Sequence, residues 1–112
     1  MTIILTIDAG TTGVRTLAVN SQGDVVDSSY KEFSQYFPNP GWVEHDAEEI
    51  WHSVQFTMGE VVSRLSEPIA AIGITNQRET AVAWDRETSL PVHRALVWQD
   101  RRTAGQCTQL VA

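Results

Sequence analysis

Two apolar segments separated by an amphipathic one constrain the fold of this chain more than any other feature. Residues 3–7, IILTI, and residues 69–75, IAAIGIT, are rich in apolar and β-branched side chains, as are strands buried on both faces of a sheet. Between them, residues 46–65 repeat apolar side chains at spacings of three and four, which predicts an amphipathic helix of about five turns. This order predicts a helical crossover that lays the last strand parallel to the sheet.

Short connections early in the chain predict antiparallel strands. Residues 14–20 alternate apolar and mixed side chains, and residues 25–36 predict a third strand with a more polar, edge-like face. Residues 20–24, NSQGD, have the composition of a turn. The predicted fold class is therefore α/β, a mixed sheet made of a three-stranded antiparallel meander, a helix crossover and a parallel strand.

The remaining segments give local predictions. Residues 37–42, FPNPGW, predict a loop, and Asp46 has the spacing of a helix N-cap. Residues 80–85 and 92–98 are compatible with a hairpin, and a second helix is expected from Asp100 onward, with that acid favourable at its N-terminus. Three of the tryptophans are assigned to packing: Trp42, Trp51 and Trp84.

Composition excludes several classes of function. The 112 residues include 14 acidic and 8 basic side chains, a net charge of −6, which argues against a nucleic-acid partner. The single cysteine, Cys107, allows neither an internal disulfide nor a cysteine-based zinc site and fits a reducing cytoplasm. The N-terminal residues lack a basic region and reach Asp8 too early for a signal peptide or membrane span. We expect a cytoplasmic protein, with homo-oligomerisation left open.

Residues 8–15, DAGTTGVR, combine an acid, two glycines, two threonines and an arginine. Glycines let the backbone turn tightly so that several N–H groups face one point, and the hydroxyls of Thr11 and Thr12 add donors there. Arg15 can bring a positive charge to a phosphate, whereas Asp8 can hold Mg²⁺ through water. The same pattern is typical of a plain hairpin turn without a ligand. A role for Asp8 is favoured because a carboxylate ending a strand buried on both faces is costly.

A second polar group follows the predicted strand at residues 69–75, at the sheet edge where ligands of parallel sheets bind. Arg78 offers only hydrogen-bond donors and Glu79 only acceptors, so together they can hold a hydroxyl group, as a polyol requires. Trp98 can form the apolar wall of a small pocket. Residue types alone favour a structural salt bridge at the strand end over a substrate site, and core packing is the usual position of a large aromatic such as Trp98.

Four stretches carry a resemblance to a known family: DAGTTGVR, FPNPGWVEHDAEEIW, AAIGITNQRET and ALVWQDRRTA. Over nearly the whole chain they resemble the glycerol kinases, within the wider family of sugar and polyol kinases that share an RNase H-like, actin-like ATPase fold. The resemblance implies ATP- and Mg²⁺-dependent phosphorylation of a small polyol. It also implies that residues 1–112 are the front part of the N-terminal, substrate-binding domain of a two-domain kinase. The second domain and the general base, an aspartate, would then lie downstream.

The resemblance assigns roles by position. In the family's pattern Asp8 is the Mg²⁺-associated acid, and the ATP phosphates are bound at Thr11, Thr12, Gly13 and Arg15. Arg78 and Glu79 match the pair that forms hydrogen bonds with the hydroxyls of glycerol. Trp98 matches the tryptophan beside the carbon chain of glycerol. The sequence departs from the family at Ala9, usually Gln, at Gly13, often Ser, and at Asp100, usually Cys. The change at position 13 removes one phosphate donor and leaves room for a kinase of another polyol.

Two other classes of protein remain open. One is a non-catalytic nucleotide-binding module of the same actin-like fold. The other is an RNase H-like nuclease in which Asp8 ligates a catalytic metal. A nuclease needs several clustered strand-end carboxylates and a positive surface, and the net charge of −6 argues against it.

Overall fold

The computed structural model describes residues 2–111, so Met1 and Ala112, the ends of the predicted domain range, lie outside the described residues. Its elements in chain order are β1 (Ile3–Ala9), β2 (Gly13–Val19), β3 (Val25–Glu32), β4 (Glu44–His45), α1 (Ala47–Arg64), β5 (Ile69–Thr75), β6 (Ala95–Leu96) and α2 (Ala104–Val111). The chain divides into two compact units. The sheet unit comprises the residues up to Phe33 and Glu48–Gln77, and the loop unit comprises Ser34–Ala47 and the residues from Arg78 onward.

A mixed four-stranded sheet forms the sheet unit, in the order β3-β2-β1-β5. The first three strands pair antiparallel, and β5 pairs parallel with β1 after the crossover through α1. The predicted meander, crossover and parallel strand are therefore confirmed. The strand ends differ from the prediction, because β1 continues through Asp8 and β3 ends at Glu32.

Helix α1 covers one face of the sheet. Alternate residues of β1 and β2 point at it, as the period of two in a strand requires. Two clusters result, the first of Ile3, Leu5, Ala18 and Val61 with Met58 and Leu65, the second of Ile7, Val14 and Phe33 with Ala9, Ile50, Val54 and Met58. A buried hydroxyl pair, Thr16 and Thr57, joins sheet and helix at 2.9 Å.

The prediction that β1 and β5 are buried strands is wrong for this chain. On β1, Ile4 is 48% exposed and Asp8 is also exposed, because the helix packs on the opposite face only. All residues of β5 are exposed, since this strand forms an edge of the sheet, and Ile74 reaches 73%. Within residues 2–111 the burial argument that favoured a role for Asp8 is therefore not supported.

Helix α1 has the predicted length, with 18 residues, but not the full predicted face. Its buried line runs through Ser53, Thr57 and Val61. Trp51 and Val62 were predicted to face the core and are instead exposed, because each lies about 100° around the helix from the packed residue before it. The packing assignment of Trp51 is therefore wrong.

In the loop unit, short antiparallel pairings replace long strands. Strands β4 and β6 pair through two residues each. Single antiparallel bridges join Ala81 to Leu96 and Trp84 to Pro91, which confirms the hairpin arrangement without continuous strands. Trp84 is exposed, so its assignment to packing is wrong, and helix α2 begins at Ala104 rather than at Asp100.

Candidate functional site

The phosphate turn, residues 8–15, is the hairpin that joins β1 to β2. Asp8 pairs with Arg15 across the two strands, and the Gly10 N–H donates to the Gly13 carbonyl at 3.0 Å. Between these glycines lie Thr11, which is half-buried, and Thr12, which is exposed. A hairpin is therefore present, and its tip offers hydroxyl groups to a ligand.

Strand register places three functional groups in one row on the sheet face that α1 leaves open. Asp8 on β1 lies opposite Arg15 on β2, and Arg15 lies opposite Tyr30 on β3. Directly opposed residues of an antiparallel pair share a face, with Cβ atoms roughly 4.5–5.5 Å apart. All three side chains are exposed. The sheet unit thus brings a carboxylate, a guanidinium and a phenol together beside the threonines.

Gln77 ties the end of β5 to the phosphate turn. Its Nε2 donates to the carbonyl of Gly10 at 2.8 Å. The parallel register explains this contact, because Asp8 pairs with Thr75 and the residues two positions further along each chain are then neighbours. No role was predicted for Gln77 from the sequence, although the predicted parallel strand was the signal for this contact.

The candidate polyol site lies in the loop unit, where Arg78 and Glu79 are exposed at a turn. Within residues 2–111 neither side chain forms a salt bridge, so the structural ion pair that residue types allowed is not observed. Glu79 has φ 61°, a left-handed conformation that costs a non-glycine residue about 1–2 kcal/mol. Such strain persists only where the surroundings impose it, and it concentrates at functional sites.

Trp98 is 52% exposed, so it does not pack in the core formed by residues 2–111. Its backbone N–H donates to the Thr80 hydroxyl at 3.2 Å, and the Ala81–Leu96 bridge continues the same pairing. The loop unit therefore brings Trp98 beside the segment that follows Glu79.

A buried ion network supports this part of the loop unit. Glu44, 3% exposed, binds Nη2 of Arg102 at 2.8 Å, and the same nitrogen binds Asp100 at 2.8 Å. Asp100 also accepts the Val43 N–H at 2.7 Å. Hydrogen bonding from Arg102 holds the pKa of Asp100 well below its usual range, and the two acids raise the pKa of Arg102. The prediction that Asp100 serves the N-terminus of the second helix is wrong, because its carboxylate is used in this network.

Aromatic rings complete the network. The Arg102 guanidinium carbon lies 3.9 Å from the Trp42 ring centroid, and that of Arg94 lies 3.6 Å from the ring of Tyr36. Such contacts between cations and aromatic faces are attractive and favour arginine. The contact between Arg102 and Trp42 joins the stretches PGWVEHD and WQDRR.

Magnesium fits the phosphate turn only in a limited way. Among residues 2–111, no group of three or more His, Cys, Asp or Glu side chains is arranged to hold a metal ion. Mg²⁺ usually keeps several waters and binds one or two carboxylates together with substrate phosphates. One exposed carboxylate, that of Asp8, meets this requirement, whereas a cage made of protein ligands alone is absent from this range.

Comparison with solved structures defines the class of the fold. The chain superposes with a TM-score of 0.92 on a Plasmodium falciparum glycerol kinase with ADP, at 35% identity over 98% of this chain and 23% of that one. A ligand-bound xylulose kinase from Lactobacillus acidophilus gives a TM-score of 0.93 at 20% identity, over 99% of this chain and 22% of that one, and shows the fold alone. The predicted mixed-sheet, actin-like ATPase class is therefore confirmed.

Sequence comparison then gives the family. A model of the N-terminal domain of the FGGY family of carbohydrate kinases matches residues 3–112, so the chain belongs to this family. A glycerol kinase of Rhizobium rhizogenes is 54% identical over 110 residues, which are 96% of this chain and 22% of that protein. The chain thus spans about a fifth of this relative's length. No helix in residues 2–111 has the length and apolar character needed to cross a membrane.

Proposed function

We propose that the full-length protein carrying this chain is an ATP-dependent kinase that converts glycerol to glycerol 3-phosphate. A terminal hydroxyl of glycerol attacks the γ-phosphate in line. The observation that carries this proposal is the 54% identity to a glycerol kinase over a segment that contains both candidate ligand groups. The exposed Arg78–Glu79 pair, with its left-handed glutamate, supports the choice of a polyol as acceptor.

The proposal includes a division of the protein into domains. Residues 1–112 are the front part of the N-terminal, substrate-binding domain of a two-domain kinase, in keeping with the 22% of the Rhizobium relative that the chain covers. The general base, an aspartate in the family, belongs to the remainder. Phosphoryl transfer depends on positioning and charge stabilisation from both sides of a cleft, so the segment alone is expected to be inactive.

The phosphate turn would hold the nucleotide's phosphates. Hydroxyls of Thr11 and Thr12 and the backbone N–H groups around Gly13 donate to phosphate oxygens, and Arg15 brings a full positive charge to them. Asp8 would hold Mg²⁺ through water, and the ion when bound neutralises phosphate charge. Donors fixed before the reaction are effective because they need no reorganisation in the transition state.

The loop unit would hold the acceptor. Arg78 donates to one hydroxyl oxygen of glycerol, Glu79 accepts from a neighbouring hydroxyl, and Trp98 presents an apolar wall to the carbon chain. Together they orient the attacking alcohol, and orientation of this kind accounts for a large part of the barrier reduction in two-substrate reactions. We place the reaction in the cytoplasm, where ATP is available and a lone cysteine stays reduced. Light scattering of the full-length protein tests for a homo-oligomer.

A coupled assay of ADP release by the full-length protein tests this proposal. Glycerol, xylulose and buffer alone are compared at saturating ATP and Mg²⁺. We expect ADP release that depends on glycerol and yields one glycerol 3-phosphate per ADP. Release with xylulose but not glycerol would assign the protein to another acceptor. Nucleotide binding without acceptor-dependent release would identify a non-catalytic module.

A further inference from the structure

We propose that Tyr30 is a positioning residue of the phosphate turn, holding Thr12 through its hydroxyl and Arg15 through its ring. The inference deepens the proposed function and rests on it, because the groups that Tyr30 holds are those assigned to the nucleotide's phosphates. No role for Tyr30 follows from its residue type alone or from the family resemblance. The available signal was a large aromatic residue on the polar, edge-like face of the third strand.

Three contacts place Tyr30 at the turn. It lies directly opposite Arg15 in the β2–β3 register. The guanidinium carbon of Arg15 lies 5.0 Å from the centroid of the Tyr30 ring, within the range of an attractive cation–aromatic contact. The Tyr30 Oη lies 3.3 Å from Oγ1 of Thr12, within hydrogen-bond distance. One side chain on a regular strand therefore touches two of the candidate phosphate ligands.

Gly13 makes this arrangement possible. A Cβ atom at position 13 would lie 2.6 Å from the Tyr30 Oη and 2.7 Å from the backbone oxygen of Lys31, closer than real Cβ atoms approach. The phenol hydroxyl therefore occupies space that any side chain at position 13 would need. The resemblance to glycerol kinases leads us to expect a serine hydroxyl at this position, and Tyr30 brings a hydroxyl back to nearly the same place from the neighbouring strand.

Holding these two groups has a chemical consequence. Arg15 is a long, exposed side chain that loses rotamer freedom when it binds a phosphate, and Thr12 lies at the exposed tip of a hairpin. A partner that fixes both before the nucleotide arrives reduces the entropy lost on binding. The effect acts on the ATP side of the reaction, so a loss of Tyr30 is expected to weaken the use of ATP and to leave the binding of glycerol unchanged.

Variants of the full-length enzyme separate the two contacts. Tyr30→Phe removes the hydroxyl and keeps the ring, whereas Tyr30→Leu removes both. For Tyr30→Leu we expect kcat/KM for ATP to fall about tenfold, the combined effect of one hydrogen bond and one cation–aromatic contact, with KM for glycerol unchanged. Tyr30→Phe is expected to recover part of this loss, because Arg15 keeps its ring.

The chain offers a matched control. Lys31 Nζ lies 4.9 Å from the ring centroid of Phe56, a contact of the same kind between β3 and α1. Phe56→Leu is therefore expected to leave both KM values unchanged.

A double variant tests the hydrogen bond itself. Thr12→Val combined with Tyr30→Phe should lower kcat/KM for ATP by less than the product of the two single effects, since the two residues share one hydrogen bond.

The outcomes separate this inference from the proposed function. A folded Tyr30→Leu enzyme with an unchanged kcat/KM for ATP would overturn the role of Tyr30. A KM for glycerol that rises as much as the KM for ATP would overturn it as well. If the unaltered protein fails to phosphorylate glycerol, the proposed function is overturned instead. The role of Tyr30 is then judged by the Kd of a fluorescent ADP analogue, which should rise in Tyr30→Leu and stay constant in Phe56→Leu. If Tyr30→Leu does not fold, the same comparison is made with Tyr30→Phe.

Discussion

The sheet unit and the loop unit hold their candidate ligand residues by different means. In the sheet unit the phosphate turn joins two seven-residue strands that pack on α1 through two apolar clusters. In the loop unit the strands have two residues each, and a buried glutamate bound to Arg102 joins segments 58 positions apart. Regular backbone pairing fixes the first site, whereas specific polar contacts between distant segments fix the second.

This difference predicts which kind of substitution damages each unit. Apolar deletions should be most harmful in the sheet unit, and removal of a charged partner most harmful in the loop unit. Changes at exposed turns should affect the binding of a substrate more than the stability of the fold. The predictions below test the contrast on the full-length protein.

The largest expected loss of stability follows Leu5→Ala. Leu5 is fully buried in the first apolar cluster, and truncation there leaves a cavity that costs about 2–5 kcal/mol of unfolding free energy. Ile4→Ala compares the other face of the same strand, because Ile4 directly precedes Leu5 and is 48% exposed within residues 2–111. Denaturant titration of both variants measures the two losses. An unchanged free energy of unfolding in Leu5→Ala would contradict the packing of β1 on α1.

Gly13→Ala is expected to have the next largest effect. The added methyl group meets the Lys31 carbonyl and the Tyr30 hydroxyl, and overpacking of this kind costs about 1–3 kcal/mol. The KM for ATP should rise as the turn shifts. Gly59→Ala serves as control, since Gly59 lies in α1 with open space around it and should gain about 0.5–1 kcal/mol. A stable Gly13→Ala enzyme with normal ATP kinetics would disprove the close packing at the turn.

The loop unit should respond to pH through Asp100. Because Arg102 lowers the pKa of Asp100 in the folded state, this acid stabilises the fold above the ordinary aspartate pKa of about 3.9. The contribution is lost as the pH falls from there through the depressed value. Thermal unfolding of the unaltered protein and of Asp100→Asn should therefore differ most near neutral pH and converge in acid. A constant difference across the whole range would contradict the ion network.

The smallest expected change in stability concerns Glu79 and Ser89, the non-glycine residues that have φ 61° within residues 2–111. Replacement of either by glycine removes the left-handed strain and should raise the free energy of unfolding by about 1 kcal/mol. Only Glu79→Gly should also raise the KM for glycerol, because Ser89 lies in the turn closed by its own N–H to Asp85. If both variants keep the same KM, the carboxylate of Glu79 has no role in binding the acceptor.

Much of the sheet unit could be predicted from the sequence because its order depends on local periodicity. Apolar runs, short turns and one amphipathic helix sufficed to predict the antiparallel meander and a parallel strand after the crossover. The pairing of that strand with β1 was not predicted and is seen only in the structure. Burial was predicted less well. An apolar run such as that of β5 shows that a strand suits a covered position, but it does not show which element provides the cover within this chain.

The loop unit was harder to predict for a physical reason. Glu44, Asp100 and Arg102 form one network only after the chain has folded, and no spacing in the sequence marks them as partners. The same holds for Tyr30, whose role follows from the register of β3 against β2 rather than from a motif. The candidate ligands themselves could be named from residue types and family resemblance, and their roles in binding remain predictions.

One pair of variants tests the central claim most directly, namely that the sheet unit binds the phosphates of ATP and the loop unit binds glycerol. Steady-state kinetics of the full-length enzyme are measured for Arg15→Ala and Arg78→Ala with both substrates varied. We predict that Arg78→Ala raises the KM for glycerol about 10- to 100-fold, as expected for hydrogen bonds from a charged group, and leaves the KM for ATP unchanged. Arg15→Ala should do the reverse. The account would be contradicted if both variants raised the KM for the same substrate. It would also be contradicted if Arg78→Ala left the KM for glycerol unchanged.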